Sequence, residues 1–156
     1  MKRRELATLM AGAALAVALP VSAENTGTSA VRDVLAAYEA ALNSQDTDTI
    51  VTLYADDGVF MPQHSLPQVG LENIRAAYDG VFTSITLDIE FEVDEIALLS
   101  EDWAFARTRS EGTVRINATG VTGPEANQEL FLFQRSDVGT WQIARYIFST
   151  TNPPRD

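Results

Sequence analysis

The sequence predicts an α+β domain in which three N-terminal helices pack on a curved, mostly antiparallel sheet. In the first half of the chain, apolar residues recur every three or four positions, which is the spacing of amphipathic helices. After about residue 84 the period changes to two, and long segments alternate between apolar and polar residues as half-buried strands do. Helices followed by a run of strands are typical of the α+β class, because the helices then cover one face of the sheet.

The first two helices are predicted close together near the start of the domain. The first covers residues 30–44, and its apolar stripe includes Tyr38, so this tyrosine should face the core. Asp46 or Thr47 caps a second helix that continues to Tyr54, because Asp and Thr side chains accept hydrogen bonds from the free N–H groups of a first helical turn.

A third helix is predicted from Leu71 to about Phe82, after Gly70. Between the second and third helices, Val59–Pro62 is expected to form a brief strand that its proline confines to a sheet edge or a strand end. Asp56 and Asp57 precede this strand. Two carboxylates at the end of a helix are more often turn residues than a catalytic pair, so we favour a structural role for them.

Four longer strands follow the helices. Residues 137–139 (Asp-Val-Gly) predict a tight turn before the last strand, and residues 117–127 (NATGVTGPEAN) predict a long irregular loop because they contain two glycines and a proline. The predicted long strands cover residues 85–94, 103–116, 128–135 and 141–149.

Composition excludes several kinds of chemistry. The 156 residues include no cysteine, and Lys2 is the only lysine, so there is no thiolate nucleophile, zinc-thiolate site or phosphate-loop lysine. The net charge of −11 disfavours nucleic acid and anionic lipid as partners, because neutralising phosphates requires clustered basic residues. We therefore expect a small neutral or apolar molecule or another protein as the partner.

The segment MKRRELATLMAGAALAVALPVSA has the pattern of a signal peptide. A basic head precedes an uncharged apolar stretch, and small residues stand before a predicted cleavage site after Ala23. Because the apolar stretch is shorter than the roughly 20 residues of a bilayer span, a membrane anchor is disfavoured. We expect residues 24–29 to be a flexible lead and residues 30–152 to form a single domain, followed by a short tail at 153–156. The signal peptide predicts a periplasmic or secreted protein. The Sec and twin-arginine routes both stay open.

The order of elements, together with YEAALNSQDTDTIVTLYADDGVFMP, GLENIRAAY and a final W-x-I-A-R-Y-I-F-S strand, resembles the nuclear transport factor 2-like superfamily. Within it, the sequence is most similar to SnoaL-like and SgcJ/EcaC-type proteins and to Δ5-3-ketosteroid isomerase. The resemblance implies a cone-like α+β barrel, also called a cystatin-like fold, that encloses a mostly apolar pocket. It also implies a homodimer formed through the open sheet face, and no cofactor.

The resemblance also implies candidate catalytic residues. In the isomerase a carboxylate base moves a proton, while a tyrosine and a protonated carboxyl group stabilise the oxyanion. The tyrosine falls on Tyr38, and the carboxyl group falls on Glu129. The base should lie at Met61 or Pro62, and neither can accept a proton. His64 in the following loop is the only nearby residue that could replace this base. The alternative is that this histidine is exposed to solvent and has no catalytic role.

Further residues are expected to line the pocket. Arg107 is ambiguous, because it either binds a ligand carboxylate in the pocket or lies with Arg109 and Glu111 on the outer sheet face as part of a dimer surface. The predicted walls are Tyr54, Phe60, Met61, Phe82, Phe131, Phe133, Tyr146 and Phe148.

Three functional hypotheses follow. In the first, the exported protein binds a small apolar, polyketide-like or steroid-like molecule in its pocket. In the second, it is an isomerase, cyclase or dehydratase that uses Tyr38 and Glu129 as oxyanion donors with His64 as base. In the third, it is a dimerisation module without a pocket. The missing base favours the first hypothesis, because losing a positioned base costs roughly 10²- to 10⁴-fold in rate.

Overall fold

The computed structural model describes residues 21–153 of the chain and the side chains from residue 26 onward. Of the predicted signal peptide, residues 1–20 lie outside the described residues. Within the described part of the chain, no helix has both the length and the apolar character needed to cross a bilayer. The elements in chain order are α1 Val21–Ser44, α2 Thr47–Leu53, β1 Tyr54–Met61, β2 Gln68–Val69, α3 Leu71–Ser84, β3 Ile85–Leu98, β4 Trp103–Ile116, β5 Thr122–Arg135 and β6 Trp141–Thr150.

The six strands form one sheet in the order β2-β1-β6-β5-β4-β3. All neighbouring pairs are antiparallel except β1 and β6, which run parallel. The sheet is mixed and does not close on itself, and three helices pack against it. This confirms the predicted α+β class and the cystatin-like architecture.

Helix α1 presents to the core the apolar stripe that the sequence predicts, including Val31, Leu35 and Tyr38. The polar side chain of Asn43 fastens this helix to β3, which lies at the edge of the sheet. The side-chain amide of Asn43 donates to the carbonyl of Ile89 at 2.7 Å and accepts from its N–H at 2.9 Å. These bonds satisfy groups that an edge strand would otherwise leave unpaired, and they fix the part of α1 that carries Tyr38.

Strand β4 allows a close approach to the helices because its inward side chains are small. Ala104, Ala106, Thr108 and Ser110 are all essentially inaccessible to solvent. A glycine continues this face. A Cβ atom at Gly112 would come within 2.1 Å of the Asp88 carbonyl oxygen on β3, so only glycine permits the two strands to approach this closely.

The predicted flexible lead at residues 24–29 is wrong, because the structure places these residues in α1. The helix extends so far because its first turns rest on the end of β3. A Cβ at Gly27 would lie only 2.8 Å from Cδ1 of Leu98, which shows how closely the two elements pack.

Three strands are several residues longer than predicted. Strand β3 continues to Leu98. The brief strand at Val59–Pro62 is part of β1, which begins at Tyr54 and lies between β2 and β6 rather than at the edge; its proline directly follows the strand end, as the second alternative predicts. Asp56 and Asp57 are therefore exposed strand residues beside an irregularity in the β1–β6 register. The predicted loop at residues 117–127 is also too long, because β5 begins at Thr122 and pairs with β4 along its whole length.

Candidate functional site

A cavity of about 130 Å³ lies between the helices and the inner face of the sheet. Its walls are mostly apolar, with contributions from α1, α3, β1 and β3. Its polar lining comes from the tyrosines at 38, 78 and 146 and from side chains of β4 and β5, namely Ser110, Glu125, Asn127 and Glu129. A mostly apolar hollow with a few convergent polar groups is typical of small-molecule sites.

Three tyrosine hydroxyl groups meet at the helical side of this cavity. The hydroxyl of Tyr78 lies 2.5 Å from that of Tyr38 and 3.0 Å from that of Tyr54. Three hydroxyl groups carry three protons, and two mutual hydrogen bonds use only two of them. If Tyr54 donates to Tyr78 and Tyr78 donates to Tyr38, the remaining proton belongs to Tyr38, which lines the cavity.

Burial keeps these phenols neutral. Desolvation raises the pKa of Tyr38, Tyr54 and Tyr78 well above its ordinary value, and neighbouring phenol groups raise the pKa of Tyr38 further. The hydroxyl groups are therefore hydrogen-bond donors at neutral pH, which is the form that a developing oxyanion requires.

Glu129 lies at the opposite, sheet side of the cavity and is only 4% exposed. One carboxyl oxygen accepts from Thr108 Oγ1 at 2.6 Å, and the other accepts from Ser110 Oγ at 2.5 Å. Burial raises the pKa of Glu129, and the two hydroxyl hydrogen bonds oppose the increase without cancelling it. The neutral carboxyl group is thus favoured relative to an exposed glutamate.

Asn127 connects Glu129 to a second carboxylate. Its Nδ2 donates to Glu125 Oε1 at 2.9 Å and lies 3.4 Å from Ser110 Oγ. Its Oδ1 is buried and has no hydrogen-bond partner among the described residues. An unpaired buried acceptor costs free energy, so this oxygen is available to a donor that enters the cavity.

Aromatic rings form much of the remaining wall. Phe60 stacks on Tyr78 with ring centroids 4.8 Å apart and on Tyr146 at 5.5 Å. Phe148 stacks on both Phe60 and Tyr146. Such flat, rigid surfaces fit a planar apolar ligand. Between residues 26 and 153, no group of three or more His, Asp or Glu side chains is arranged to hold a metal ion.

The structure brings together five of the twelve predicted site residues. Tyr38 and Glu129 line the same cavity, and so do the predicted wall residues Phe60, Tyr146 and Phe148. The other predicted wall residues lie outside the cavity lining. Tyr54, Phe131 and Phe133 are buried behind it, whereas Met61 and Phe82 are half-buried.

His64 and Arg107 also lie outside the cavity lining. His64 is exposed in the loop after β1 and is not among the lining residues, because the chain turns away from the cavity after Pro62. Arg107 faces outward, since it alternates on β4 with the inward Ala106 and Thr108. Its guanidinium group pairs with Asp94 at 2.7 Å, so of the two placements predicted for Arg107 the structure shows the one on the outer sheet face.

Sequence reasoning did not find Tyr78, Asn127 and Glu125 as site residues. Tyr78 is a core position of the apolar α3 stripe, and its partner hydroxyl groups come from elements far away in sequence. Asn127 and Glu125 fall in the predicted loop. The two-residue spacing of positions 125, 127 and 129 is typical of a strand, and it could have placed Glu125 and Asn127 on the same sheet face as Glu129.

The sequence profile of the SnoaL-like domain matches residues 34–140, which is most of the chain. The chain belongs to the SnoaL-like domain family. Among solved structures, this SnoaL-like chain is similar to a ketosteroid isomerase-like protein from Erwinia carotovora atroseptica, with 38% identity, a TM-score of 0.80, and coverage of 83% of this chain and 99% of that one. No curated protein matches the sequence.

Two further structures share the SnoaL-like fold. A conserved protein from Planctomyces limnophilus is 26% identical with a TM-score of 0.72, and the match covers 81% of this chain and 98% of that one. An uncharacterised protein with a cystatin-like fold from Caulobacter vibrioides is 18% identical with a TM-score of 0.68, at 82% and 92% coverage, and shows the fold alone. The resemblance inferred from the sequence is thus confirmed at the level of family and fold.

Proposed function

We propose that this SnoaL-like domain binds a small, mostly apolar carbonyl compound and stabilises its enol or enolate form. The observation that carries the proposal is the Glu129 carboxyl group, which is buried at the sheet side of an aromatic cavity and has a raised pKa. A neutral carboxyl group in an apolar site donates a hydrogen bond to a carbonyl oxygen, and this bond strengthens as negative charge develops there.

Tyr38 supports the same chemistry from the other side of the cavity. Its hydroxyl proton is available to a ligand when Tyr54 donates to Tyr78 and Tyr78 donates to Tyr38, and burial keeps the proton in place. Two neutral donors that converge on one hollow form an oxyanion site that needs no metal ion. The 38% identity to a protein described as ketosteroid isomerase-like supports the same class of chemistry.

The size of the cavity restricts the ligand. At about 130 Å³ it is close to the engineered protein cavities of about 150 Å³ that bind benzene, and it is smaller than most drug-sized sites. We therefore propose a ligand with a single ring or a comparable chain. A steroid-like or polyketide-like molecule would require the helices to move away from the sheet.

The proposal is tested by titrating 4-fluorophenol, a one-ring enol analogue, into the protein and following its ¹⁹F NMR signal. We expect the wild-type affinity to be highest where Glu129 is protonated and to fall as it ionises, because only the neutral carboxyl group donates to the ligand oxygen. Glu129→Gln keeps a neutral donor and should bind without this pH dependence. Glu129→Leu removes the donor and should bind at least about tenfold more weakly.

The control for this titration is Glu101→Gln, which changes an exposed carboxylate in the β3–β4 turn and should behave as wild type. Circular dichroism of each variant shows whether it is folded. Equal affinity of the wild type and folded Glu129→Leu at every pH would contradict the proposed role of Glu129. Absence of 4-fluorophenol binding to the wild type would contradict the proposed function as a whole.

A second proposal concerns the outer face of the sheet, opposite the helices. Leu130 on β5 and Ile147 on β6 are 48% and 44% exposed, and the half-buried Phe105 and Leu132 continue this apolar surface. We propose that a second copy of the chain covers it, as the family resemblance implies. The proposal concerns assembly and is compatible with a ligand in the inner cavity.

A further inference from the structure

We propose that Glu125 is the proton acceptor of this site and that Asn127 is the positioning residue that holds its carboxylate. The substrate class is a small ketone with a hydrogen atom on the carbon next to its carbonyl group. This inference rests on the proposed function, and it provides the base that Met61, Pro62 and His64 do not.

Glu125 lies in the right place for this role. Residues 125, 127 and 129 alternate along β5, so their side chains share the inward face of the sheet, and all three line the cavity. Glu125 is half-buried, whereas Glu129 is buried. The two carboxyl groups thus have different surroundings, and such a difference separates a proton acceptor from a neutral hydrogen-bond donor.

A chain of polar contacts sets an upper limit on the distance between the two carboxyl groups. Glu129 Oε1, Ser110 Oγ, Asn127 Nδ2 and Glu125 Oε1 are successive atoms of one polar chain with separations of 2.5, 3.4 and 2.9 Å. The two carboxyl oxygens therefore lie at most about 9 Å apart.

A bridging substrate needs a similar length. The hydrogen bond from the Glu129 oxygen to the carbonyl oxygen is about 2.7 Å long. The carbonyl oxygen and the carbon next to the carbonyl group are about 2.4 Å apart, and a basic oxygen approaches that carbon to about 3–3.5 Å. A ketone held by Glu129 can therefore present its acidic C–H bond to Glu125.

Asn127 fixes the orientation of Glu125. Its amide orientation is determined because Nδ2 faces the Glu125 carboxylate, whereas a flipped amide would place two acceptor oxygens against each other. Oδ1 consequently has no partner among the residues that the structure describes, although the side chain is 92% buried. Only a hydrogen-bond donor would satisfy this oxygen, and the hydroxyl group of the enol form is such a donor, whereas the ketone oxygen is not.

The reaction step balances without a cofactor. The Glu125 carboxylate takes the proton from the carbon next to the carbonyl group, and the electron pair of the broken C–H bond forms a C=C bond. The π electrons of the C=O bond move to oxygen, where Glu129 donates a hydrogen bond. Glu125 then returns the proton to the same carbon or to a conjugated one, so nothing is oxidised or reduced.

The test is the exchange of the α-hydrogens of cyclohexanone in D₂O, followed by ¹H NMR. Glu125 is half-buried, so the proton that it takes from the ketone can exchange with D₂O. The wild-type protein should therefore accelerate deuteration of the α-carbon above the rate in buffer. Glu125→Gln, which keeps an acceptor for Asn127 Nδ2, should lower the catalysed rate by about 10²-fold or more. Glu125→Asp should restore part of it, and the Glu101→Gln control should match wild type.

Binding of 4-fluorophenol to the same variants separates this inference from the proposed function. If Glu125→Gln binds 4-fluorophenol but exchanges cyclohexanone as fast as wild type, Glu125 is not the base. If wild type binds 4-fluorophenol and catalyses no exchange, the inference is also overturned while the binding function stands. If wild type does not bind the phenol, the proposed function fails.

A double variant tests whether Asn127 acts through Glu125. Asn127→Leu should lower kcat for exchange about tenfold with little change in KM, because a misaligned base still meets a bound ketone. Adding Asn127→Leu to Glu125→Gln should cause no further loss. A fully additive loss would show that Asn127 acts independently of Glu125 and would overturn its positioning role.

Discussion

At the scale of single residues, Glu129 determines what the cavity can do. Its carboxyl group is buried among aromatic rings, and the Thr108 and Ser110 hydroxyl groups satisfy its oxygens without adding charge. A basic partner would hold the group ionised, but no arginine is paired with it among the described residues. Desolvation therefore dominates, and the group favours its neutral form.

This environment has a consequence for stability. Because folding raises the pKa of Glu129, its contribution to stability is fully present below the unfolded-state pKa and is lost as the pH rises through the folded-state pKa. Between these two values, the free energy of unfolding should fall by about 1.4 kcal/mol per pH unit relative to Glu129→Gln, which has no proton to lose.

Urea unfolding of wild type and Glu129→Gln from pH 4 to pH 8 measures this difference. A hydrogen bond from Thr49 lowers the pKa of Asp46, and a hydrogen bond from Arg109 lowers the pKa of Asp94. Protonation of these two carboxylates at acid pH destabilises wild type and variant equally, so the variant is a suitable reference. A difference that does not change with pH, or that changes in the opposite direction, would show that Glu129 is not held in its neutral form.

At the scale of secondary-structure elements, local periodicity predicted the helices and most strands. The bounds predicted for β4 agree with the structure because Trp103–Ile116 alternates almost throughout, and its one glycine, Gly112, fits the close approach of β3. The start of β5 was not predictable in this way. Gly123 and Pro124 resemble a loop, yet β4 pairs with them across the sheet, and pairing with a distant strand can override local propensity.

The same effect explains how much of the site the sequence could predict. Tyr38 and Glu129 lie on a helix stripe and a strand whose register was predictable, and both reach the cavity. Glu125 and Asn127 were assigned to the loop, so their shared face with Glu129 was not visible. Tyr78 was assigned to the core, and only the fold brings its hydroxyl group to Tyr38.

At the scale of the whole molecule, the helices cover only one face of the sheet. Leu130 and Ile147 remain half-exposed on the other face, beside a groove of about 420 Å³ that Arg107 and Arg109 also line. Both arginines are engaged with Asp94 of the same chain. The apolar side chains are therefore not covered by these arginines, and the proposed two-fold dimer would bury them against a second copy.

Light scattering coupled to size-exclusion chromatography tests this assembly. The wild-type protein should have the mass of two chains. The double variant Leu130→Asp with Ile147→Asp should have the mass of one chain, because it places four charges across the two-fold interface. The matched control is Val138→Asp, which changes an 88% exposed valine in the β5–β6 turn and should remain dimeric. A monomeric wild type, or a dimeric double variant, would contradict the proposed dimer.

The most direct test of the central claim is the titration of the Glu129 carboxyl carbon by carbon-detected NMR, with its signal assigned from the Glu129→Gln spectrum. If Glu129 is the neutral donor of the cavity, its midpoint lies above the ordinary value of 4.5 and rises further when 4-fluorophenol is bound, because the ligand then stabilises the protonated form. A midpoint at or below 4.5 that 4-fluorophenol leaves unchanged would show that the carboxyl group is ionised and does not take part in oxyanion stabilisation.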